Sequence, residues 1–549
     1  MLPDYTILKL MKSDNKLSKT SARRRAIQNP SLASLIIALL IICIYIAIAV
    51  WKIRYPGTQY DEALYVNAAL GGIDKTTFMT RVFHKVPILL MPYIGALKSY
   101  IYFPIFKLFG VSAITMRVPQ VILTAFSLFI LHKLIYKHTN SLRIAISVVA
   151  ITAFDASFII FTRLDNGPVV LDLLLKLLAL LALFYYQKTN LLRYQIIFWL
   201  FMWLGIFNKL NFIWYVNAFT VSFLVVYGRQ VWEKLVTKKR RLTNALVAAF
   251  GFIISVGYFL LINHTYKLGS SLGWVGLNTA YHNTQTLISG SWFYNYVFSP
   301  NIIGTSLIFW LGLIIILGSR VLSYINRKMY KKDSLDKYAF ENFIGIILTL
   351  IFLQLVITLK ATAGWHYFSI YPFWGILVVI GIFKLAEQFK LKIYFEYVFI
   401  TVFCIYGLFI YAQYIRAFTK PSTNIIWSTA IYDLENFAKT KPNSQFISLD
   451  WGTQTQLIGL GKRHHNRFYE LFGPINSNNP MDISRITNDF LLTKPDAYYV
   501  THSPGNEIFP GQTQNFLNIA TKAGYSTIEN KTIYDQTKPV FVIYRFSKP

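Results

Sequence analysis

The stretch that decides the fold is "SLASLIIALLIICIYIAIAVW", residues 31–51. It carries no charged residue and has the roughly 20 residues that an α-helix needs to cross the hydrocarbon core of a bilayer. It is too long for the apolar core of a signal peptide, and no small-x-small cleavage site follows it. Because residues 1–30 before it are basic, we expect an uncleaved membrane anchor behind a cytoplasmic N-terminus.

Similar apolar runs recur along the chain as far as residue 415. Hydrophobic residues make up 54% of the 549 residues and charged residues only 14%, whereas about a quarter of the residues in a soluble protein are charged. The pattern predicts an α-helical polytopic membrane protein with about eleven spans, or up to about thirteen. The predicted spans lie near residues 31–51, 117–136, 143–161, 168–187, 193–207, 211–228, 243–262, 301–319, 342–359, 367–386 and 394–415.

The net charge of +30 follows from this topology and does not indicate a nucleic-acid partner. The N-terminus and every second predicted loop are strongly basic, and together they hold half of the Lys and Arg residues. This distribution is typical of a multi-pass protein of the plasma membrane whose basic loops face the cytoplasm. Both cysteines, Cys43 and Cys404, fall within spans, which argues against a disulfide framework or a cysteine metal site.

An odd number of spans places residues 416–549 on the outer side. There, "QFISLDW", "DAYYVTH" and "PVFVIYRF" are typical of strands, and "IIWSTAIYDLENFAKT" and "TQNFLNIATKAGY" of helices. We therefore predict three parts in the chain. They are a basic cytoplasmic N-terminus (1–30), a membrane core (31–415) with a long first outer loop (52–116), and a soluble extracytoplasmic α/β domain (416–549).

The first outer loop departs from the charge rule, because it is more basic than most inner loops. Translocating cations is disfavoured, so we expect these residues to have a function. Within the loop, "VPILLMPYIGALKSYIYFPIFKLFG" (86–110) is apolar but interrupted by prolines and lysines. We expect this segment to lie as helices on the membrane surface with its apolar side down.

Two adjacent carboxylates, Asp61 and Glu62, lie in "TQYDEALYVNAAL" (58–70), just beyond the first span. The spacing predicts a helix on which the two side chains point in different directions. A carboxylate here can act as a general base, bind a metal ion or accept hydrogen bonds from sugar hydroxyls. The alternative is purely structural, because acidic residues are favoured at any helix N-terminus.

A second outward carboxylate, Asp165, lies beside Arg163 in the short turn "TRLDNGP" (162–168). The turn joins two spans, so both side chains are expected at the membrane face. They are candidates for the same site as Asp61. The alternative is that Asp165 caps the next helix while Arg163 extends to the lipid headgroups.

Basic side chains in the other outer segments are candidates for binding phosphate or metal. Lys85 lies just before the surface segment, where an ammonium group can hold a lipid phosphate or simply anchor the loop. Histidines of the outer segments could join carboxylates in a metal site, although no local ligand spacing supports one. The further candidates are Lys267 and His366 for phosphate and His84, His264 and His282 for metal. Within the fourth span, Asp172 and Lys176 are predicted to neutralise each other.

The order of these pieces resembles the GT-C superfamily of membrane glycosyltransferases. The nearest branch is the bacterial relatives of protein O-mannosyltransferases, which include the lipid A aminoarabinose transferases. The resemblance covers roughly residues 31–415 and rests on the basic N-terminus and four motifs. The motifs are "YDEALY" (60–65), "HKVPILLMPYIGALKSYIYFPIFKLFGVSAITMRVPQVI" (84–122), "TRLDNGPVVLDLLL" (162–175) and "HYFSIYPF" (366–373).

The resemblance implies a polyprenyl-phosphate-linked sugar donor and an active site that faces outward. Asp61 matches the catalytic acid of the family's first loop, and Asp165 matches the acid of its second loop. Lys85 matches a lipid-phosphate contact, and Lys267 a second one. The chain departs from the family with Val86 in place of a proline, His84 in place of an acid that helps to bind a metal, and His366 in place of an arginine. These departures put metal dependence in question, so the sequence implies no definite cofactor and leaves a divalent metal as one option.

The sequence thus predicts a hexosyl- or pentosyltransferase with Asp61 as catalytic base, Asp165 as a second catalytic acid, and Glu62 and Arg163 in support. The acceptor is a protein, a glycolipid or a cell-wall glycan. Two alternatives remain open: a polytopic transporter or lipid flippase, and a membrane anchor for the C-terminal domain. A transporter would place charge inside the bundle, whereas here the ionisable groups gather on one face.

Overall fold

The described part of the chain covers most of the predicted core and C-terminal domain. The computed structural model describes residues 32–71, 79–83, 86–164, 166–235, 240–267, 276–289, 305–330, 339–359, 364–391, 394–420, 425–461, 467–477, 479–492 and 496–548. The predicted cytoplasmic N-terminus and the site candidates His84, Lys85 and Asp165 lie outside these ranges.

The first part of the chain is mostly helical, with three short strands in the first loop. In chain order it contains α1 (Leu32–Val50), α2 (Tyr60–Leu70), β1 (Thr80–Val82), β2 (Val86–Met91), β3 (Ile94–Gly95), α3 (Leu97–Phe109), α4 (Ala113–Thr139), α5 (Leu142–Ala153), α6 (Ala156–Leu164), α7 (Val169–Thr189), α8 (Leu192–Asn208), α9 (Ile213–Leu235), α10 (Arg240–Thr265), α11 (Leu277–Ser289), α12 (Thr305–Tyr330), α13 (Ala339–Ile357), α14 (Gly364–Tyr367), α15 (Phe373–Gln388) and α16 (Tyr394–Phe418).

Each of the eleven predicted spans falls on a helix. Within the described ranges, eight helices are long and apolar enough to cross a membrane: α1, α4, α7, α9, α10, α12, α13 and α16. The pair α5 and α6 adds a ninth candidate, bent by 63° at its break. The remaining two of the eleven predicted spans fall on α8 and α15, which are shorter, with 17 and 16 residues. The chain is therefore a multi-pass membrane protein, while the number of crossings and their direction remain predictions.

Polar residues fix the ends of the long bundle helices. At the start of α4, the Ser112 side chain accepts the Thr115 N–H and the Thr115 side chain accepts the Ser112 N–H, a reciprocal capping box. At the other end, Asn140 takes a left-handed conformation with φ of 51°, which closes the last turn. Asn190 ends α7 in the same way. These caps stop the helices where the sequence becomes polar, so that the loops lie outside the apolar bundle.

The first loop is only partly helical, which corrects the expectation for residues 86–110. Its first half forms a three-stranded antiparallel sheet, β1-β2-β3, and only α3 is a surface helix. Pro87 and Pro92 explain the difference, because a proline lacks the N–H donor that a helix interior requires. One side of α3 is apolar and exposed, as Leu108 (76%) and Phe109 (75%) show. That exposed side suits a helix lying on a membrane surface.

The C-terminal part is a separate α/β unit built on a mixed sheet. It contains α17 (Ala430–Thr440), β4 (Phe446–Ser448), α18 (Thr453–Leu460), β5 (Phe468–Glu470), α19 (Phe472–Ser477), α20 (Pro480–Arg485), β6 (Tyr498–His502), α21 (Gln512–Lys522), β7 (Ser526–Asp535) and β8 (Lys538–Ser547). The sheet order is β5-β4-β6-β8-β7. Strand β4 runs parallel to β5 and β6, and β8 is antiparallel to β6 and β7. The predicted α/β domain is confirmed.

This unit packs directly on the first loop. Side chains from α2 and α3, among them Val66 and Phe106, share one apolar cluster with Leu434 and Leu457 of the C-terminal unit. The approach is close at Gly57, where a Cβ atom would lie 1.9 Å from the Ser428 carbonyl oxygen. Helix α18 of the C-terminal unit is thereby fixed over α2, the helix that carries Asp61.

Candidate active site

Asp61 occupies the first turn of α2, and its orientation is set by a capping box. The Gln59 side chain accepts the Asp61 N–H at 2.9 Å, and the Glu62 carboxylate accepts the Gln59 N–H at 3.0 Å. Glu62 therefore points back to the helix start. The Asp61 side chain points elsewhere and stays partly exposed, as the sequence predicted for two neighbouring positions on a helix.

Glu62 also forms a buried ion pair with Arg117 at the start of α4. The Arg117 Nε donates to Glu62 Oε1 at 2.7 Å, and Nη2 donates to Oε2 at 2.8 Å. The other arginine donors bond the carbonyl oxygens of Ile53, Pro56 and Gly57. Both side chains are almost completely buried. Glu62 therefore fixes α2 to the bundle, through a partner in α4 that the sequence did not predict.

Arg163 is fully buried and holds the chain that leads from α1 to α2. Its guanidinium donates to the Tyr411 hydroxyl at 2.6 Å and to the carbonyl oxygens of Lys52 and Tyr55. Its own carbonyl accepts the Gln120 side-chain amide. The predicted alternative, in which Arg163 extends to the lipid headgroups, is wrong, because its polar partners lie inside the protein. Arg163 acts on the site by positioning the segment before Asp61.

Two buried lysines lie close enough for their charges to act on the Asp61 carboxylate. Lys98 begins α3, with its ammonium 4.4 Å from the centre of the Tyr65 ring. Lys209 lies in the turn between α8 and α9, and its Nζ donates to the Gly167 carbonyl at 3.2 Å. Gly167 has φ of +86°, and a Cβ there would lie 2.9 Å from Lys209 Nζ. A glycine is thus needed at this point to let the two loops meet.

The surroundings of Asp61 raise its pKa from 3.8 to about 6. Burial is the largest cause, and the Lys209 charge, which lowers the pKa, is the next. Glu62 adds a smaller increase and Lys98 a smaller decrease. A carboxylate with a pKa near 6 is mostly ionised at neutral pH and is still basic enough to accept a proton from a reacting hydroxyl.

The C-terminal unit contributes an aromatic residue beside this carboxylate. Trp451, in the loop after β4, packs on Tyr60 with ring centres 4.4 Å apart. The negative charges of Asp61 and Glu470 both act on Tyr60 and, together with its burial, raise the pKa of its hydroxyl. Tyr60 therefore lies within the electrostatic reach of both carboxylates, one from each part of the protein.

The loop that carries Trp451 is rigidly held at the carboxyl edge of the sheet. Buried Asp450 bonds His502 Nδ1 at 2.7 Å and accepts the backbone N–H of Trp451 and Ile508. Burial would raise the pKa of Asp450, but these hydrogen bonds hold it below its usual value. Burial also raises the pKa of Glu470 to about 7, although the Gly452 N–H lowers it. Ligands of open α/β sheets bind at such carboxyl edges.

The remaining candidate residues from the sequence differ in how close they lie to Asp61. The rings of His366 and Trp365 are 5.9 Å apart, and Lys209 lies over Trp365 at 5.7 Å, so His366 belongs to the same region. Lys267 and His264 are exposed at the end of α10, where neighbouring Tyr266 bonds Thr80 of β1. His282 is exposed on α11.

Of the three histidines proposed as possible metal ligands, only His264 and His282 lie among the described residues, so the metal site stays a prediction. Across the described ranges, no three His, Cys, Asp or Glu side chains come close enough to share a metal ion. His264 and His282 are exposed, and His84 lies outside the described residues.

The in-span pair Asp172 and Lys176 lies buried beneath the site. Asp172 accepts the Asn208 amide at 2.7 Å, and Lys176 donates to the Ser369 carbonyl at 3.2 Å. Asn208 directly precedes Lys209, so the pair helps to fix the turn that carries this lysine.

Sequence reasoning assigned no individual role to Lys98, Lys209, Trp451 or Glu470, although Lys98 belongs to the first outer loop, whose basic residues were expected to have a function. Lys209 could have been found from the sequence, because it lies in "NKLN", the short polar stretch between the predicted spans 193–207 and 211–228. The positions of Trp451 and Glu470 depend on the docking of the C-terminal unit, which no local pattern reveals.

Solved structures with a similar fold were found, although no protein-family model and no curated protein sequence matches this chain. ArnT from Cupriavidus metallidurans bound to undecaprenyl phosphate superimposes with a TM-score of 0.52 at 12% sequence identity. The match covers 93% of this chain and 97% of that one. The apo state of ArnT gives the same score over 92% of this chain.

A weaker similarity links the chain to the archaeal oligosaccharyltransferase AglB from Archaeoglobus fulgidus, in complex with an inhibitory peptide and a dolichol-phosphate. Its TM-score is 0.48 at 12% identity, over 85% of this chain and 69% of that chain. The score is too low to support a conclusion. The match to ArnT extends over both parts of the molecule, and the chain therefore has the GT-C fold.

Proposed function

We propose that this protein transfers a sugar from a polyprenyl-phosphate-linked donor to an acceptor hydroxyl beside Asp61. The observation that carries the proposal is the setting of Asp61: a carboxylate with a pKa near 6, within the electrostatic reach of two buried lysines, at the end of a bundle with the ArnT fold.

Asp61 is assigned as the general base. It takes the proton from the acceptor hydroxyl as the oxygen attacks the anomeric carbon of the donor sugar. The new bond joins the acceptor oxygen to that carbon, and the bond to the phosphate oxygen breaks. The phosphate leaves with the electron pair, and attack from the opposite face inverts the anomeric configuration. Glu62 and Arg163 take no part in bond making but hold the segment that places Asp61.

The two buried lysines are assigned to the phosphate of the carrier. Their positive charges stabilise the negative charge that develops on the leaving phosphate. Such stabilisation is strong where water is excluded, and Lys98 and Lys209 are only 4% and 1% exposed. His366 follows Trp365, over which Lys209 lies, and is proposed to contact the same phosphate. Lys85, Lys267 and Asp165 keep the phosphate-binding and second-carboxylate roles that the family resemblance implies.

The C-terminal unit is proposed to form one wall of the site. Trp451 and Tyr60 form an aromatic contact across the two parts of the protein, and Glu470 lies within reach of Tyr60. An acceptor that approaches Asp61 from this side would therefore meet the loop after β4. The acceptor itself, whether protein, glycolipid or cell-wall glycan, is left open by these residues.

The orientation of the protein in the membrane is part of the proposal. Basic residues of the predicted inner loops, such as Arg143, Arg320 and Lys384, lie at the opposite end of the helices from Asp61. This distribution supports a cytoplasmic face at that end and an outer face at Asp61.

The direct test is a transfer assay with purified protein in detergent. Undecaprenyl phosphate carrying a radiolabelled sugar is mixed with the protein and an extract of the cell envelope, and water-soluble and lipid-linked products are separated. We expect label to leave the carrier only in the presence of the protein. If the label stays on the carrier while the protein moves the intact lipid across vesicles, the transporter alternative replaces this proposal.

A further inference from the structure

A deep apolar groove lies between α9 and α12, at the end of the bundle away from Asp61. Its volume is about 810 Å³, and α13 and α15 form its floor. Val225 and Leu317 on its two rims are 66% and 55% exposed, so the groove opens sideways, toward the lipid. From Asn342 to Phe352 along α13 it extends for about 15 Å, at 1.5 Å per helical residue.

The mouth of the groove is positively charged. Arg229 and Arg320 line it on opposite rims. Arg320 donates to the Asn342 side chain at 2.7 Å and lies 3.5 Å from the Glu341 carboxylate, which also pairs with Lys384. Arg320 and Lys384 thus contact one carboxylate from Glu341, and Arg229 adds a positive charge on the opposite rim. The remaining charge suits an anionic ligand.

The position of Arg320 across the floor depends on a glycine. A Cβ atom at Gly345 would lie 2.1 Å from Arg320 Nη2, so any larger residue would push the guanidinium aside. The hydrogen bonds of Arg320 to Asn342 and to the Glu341 carbonyl use two of the five N–H donors of a guanidinium, and its Nε faces the Glu341 carboxylate. The group can therefore serve its protein partners and a phosphate together.

The far end of the groove is closed by aromatic side chains. Trp374 stacks on Phe309 with ring centres 4.9 Å apart and nearly parallel planes. The Trp374 ring fits there because Gly312 has no side chain, since a Cβ would lie 2.7 Å from the indole. The groove therefore has a charged mouth, apolar walls and a fixed end, the shape that one lipid chain with a charged headgroup requires.

We propose that this groove binds an anionic glycerophospholipid from the leaflet at the basic end of the bundle. One acyl chain lies along the apolar walls toward Trp374, and the headgroup phosphate lies between Arg229 and Arg320. Basic pockets between membrane helices are known to hold anionic headgroups in this way. The apolar walls alone would accept any lipid, and the arginines select the anionic one.

The occupant is a structural phospholipid and not a second molecule of the sugar carrier. Lys209 and Arg229 lie at the two ends of the same helical segment, about 30 Å apart at 1.5 Å per residue. A carrier phosphate at Arg229 could not reach Asp61. The inference therefore does not depend on the proposed transfer reaction.

The test measures lipid retention by the full-length protein with native mass spectrometry. The protein is delipidated in detergent and then offered phosphatidylglycerol and phosphatidylcholine with identical acyl chains, in equal amounts. We expect the anionic lipid to be retained about tenfold more than the zwitterionic one, and we expect Arg229→Gln with Arg320→Gln to abolish this preference. The matched control is Lys188→Gln with Arg193→Gln, which removes two exposed cations at the same end outside the groove and should leave the preference intact.

Two further variants keep the test decisive if loss of both arginines impairs folding. Gly345→Val displaces Arg320 without removing its charge, and Leu317→Trp fills the exposed rim of the groove; both should lower retention of phosphatidylglycerol. Equal retention of the two lipids by the native protein would overturn the inference, as would a preference that survives all of these changes. Displacement of phosphatidylglycerol from the groove by undecaprenyl phosphate at equal concentration would also overturn it.

Discussion

Glu62 and Arg117 form an ion pair with a 2.7 Å contact and side-chain exposures of 3% and 0%. The pair links the helix of Asp61 to the bundle, and the same guanidinium binds three carbonyl oxygens of the chain before that helix. Glu62, whose side chain points away from the site, thus sets the position of the neighbouring candidate base, Asp61. The following predictions depend on this arrangement.

Breaking this ion pair should destabilise the protein strongly. Glu62→Gln leaves the Arg117 charge buried without its counter-charge, which typically costs about 3–5 kcal/mol. Thermal unfolding in detergent measures the loss. The matched control is Glu396→Gln, because its partner Arg143 is 49% exposed and such pairs contribute about 1 kcal/mol or less. Similar losses from both changes would show that burial of the Glu62 pair has no special importance.

The transfer rate should fall in acid with a midpoint near pH 6, because Asp61 must be ionised to accept a proton and its pKa is about 6. The Lys209 charge lowers this pKa, so Lys209→Met should move the midpoint of kcat/KM to higher pH. Lys98→Met should shift it in the same direction by less. Lys107→Met, an exposed position on α3, should leave it unchanged. An unchanged midpoint in Lys209→Met would show that the Lys209 charge does not act on Asp61.

Asp61 should also make the protein less stable at neutral pH. Its folded pKa lies above the unfolded value of 3.8, so between about pH 4 and pH 6 the folded protein holds a proton that the unfolded chain has lost. Stability therefore decreases as the pH rises through this window. Asp61→Asn should increase stability at pH 7 by about 1–2 kcal/mol, less than the full value of two pKa units because the side chain is partly exposed. At pH 4 the gain should vanish. A variant less stable than the native protein at pH 7 would contradict the raised pKa of this carboxylate.

Docking of the C-terminal unit should depend on Gly57. Gly57→Ala places a Cβ where the Ser428 carbonyl now lies, so the two parts must separate. We expect faster proteolysis of the C-terminal unit and a lower transfer rate. Gly257→Ala, where a Cβ meets nothing within 4 Å, is the control and should be neutral. Unchanged proteolysis of the Gly57 variant would show that the contact is dispensable.

The orientation can be tested by labelling single cysteines. In a chain carrying Cys43→Ser and Cys404→Ser, a cysteine introduced as Asn518→Cys on exposed α21 should react with a membrane-impermeant maleimide on intact cells. A cysteine introduced as Lys188→Cys, at the opposite end of the bundle, should react only after permeabilisation. The reverse pattern would place Asp61 on the cytoplasmic face.

The sequence predicted the helical bundle and the C-terminal sheet well, because both are encoded by local hydrophobic patterns. All eleven predicted spans lie on helices, since long apolar runs in a membrane have few other ways to satisfy their backbone groups. The surface segment was half wrong, since Pro87 and Pro92 direct the chain into strands. The region of Asp61 was found from its place after the first span.

What the sequence could not provide were contacts between distant segments. The sequence left Arg163 open between a supporting residue of the site and a headgroup anchor, because its partners Lys52 and Tyr411 are far away in the chain. Lys98 and Lys209, whose charges lower the pKa of Asp61, come from two further elements. Trp451, which packs on Tyr60, comes from a domain nearly 400 residues later in the chain. Such groupings follow from tertiary packing, for which one sequence offers no periodic signal.

The measurement that tests the central claim most directly is sugar transfer by Asp61→Asn, with Asp433→Asn as the matched control. Asp433 is exposed on α17, so its substitution removes a carboxylate without touching the site. At equal protein levels and with retained carrier binding, we expect Asp61→Asn to lower kcat by a hundredfold or more, the usual effect of losing a general base (about 10² to 10⁴), and Asp433→Asn to match the native protein. Transfer by Asp61→Asn at the native rate would contradict the account.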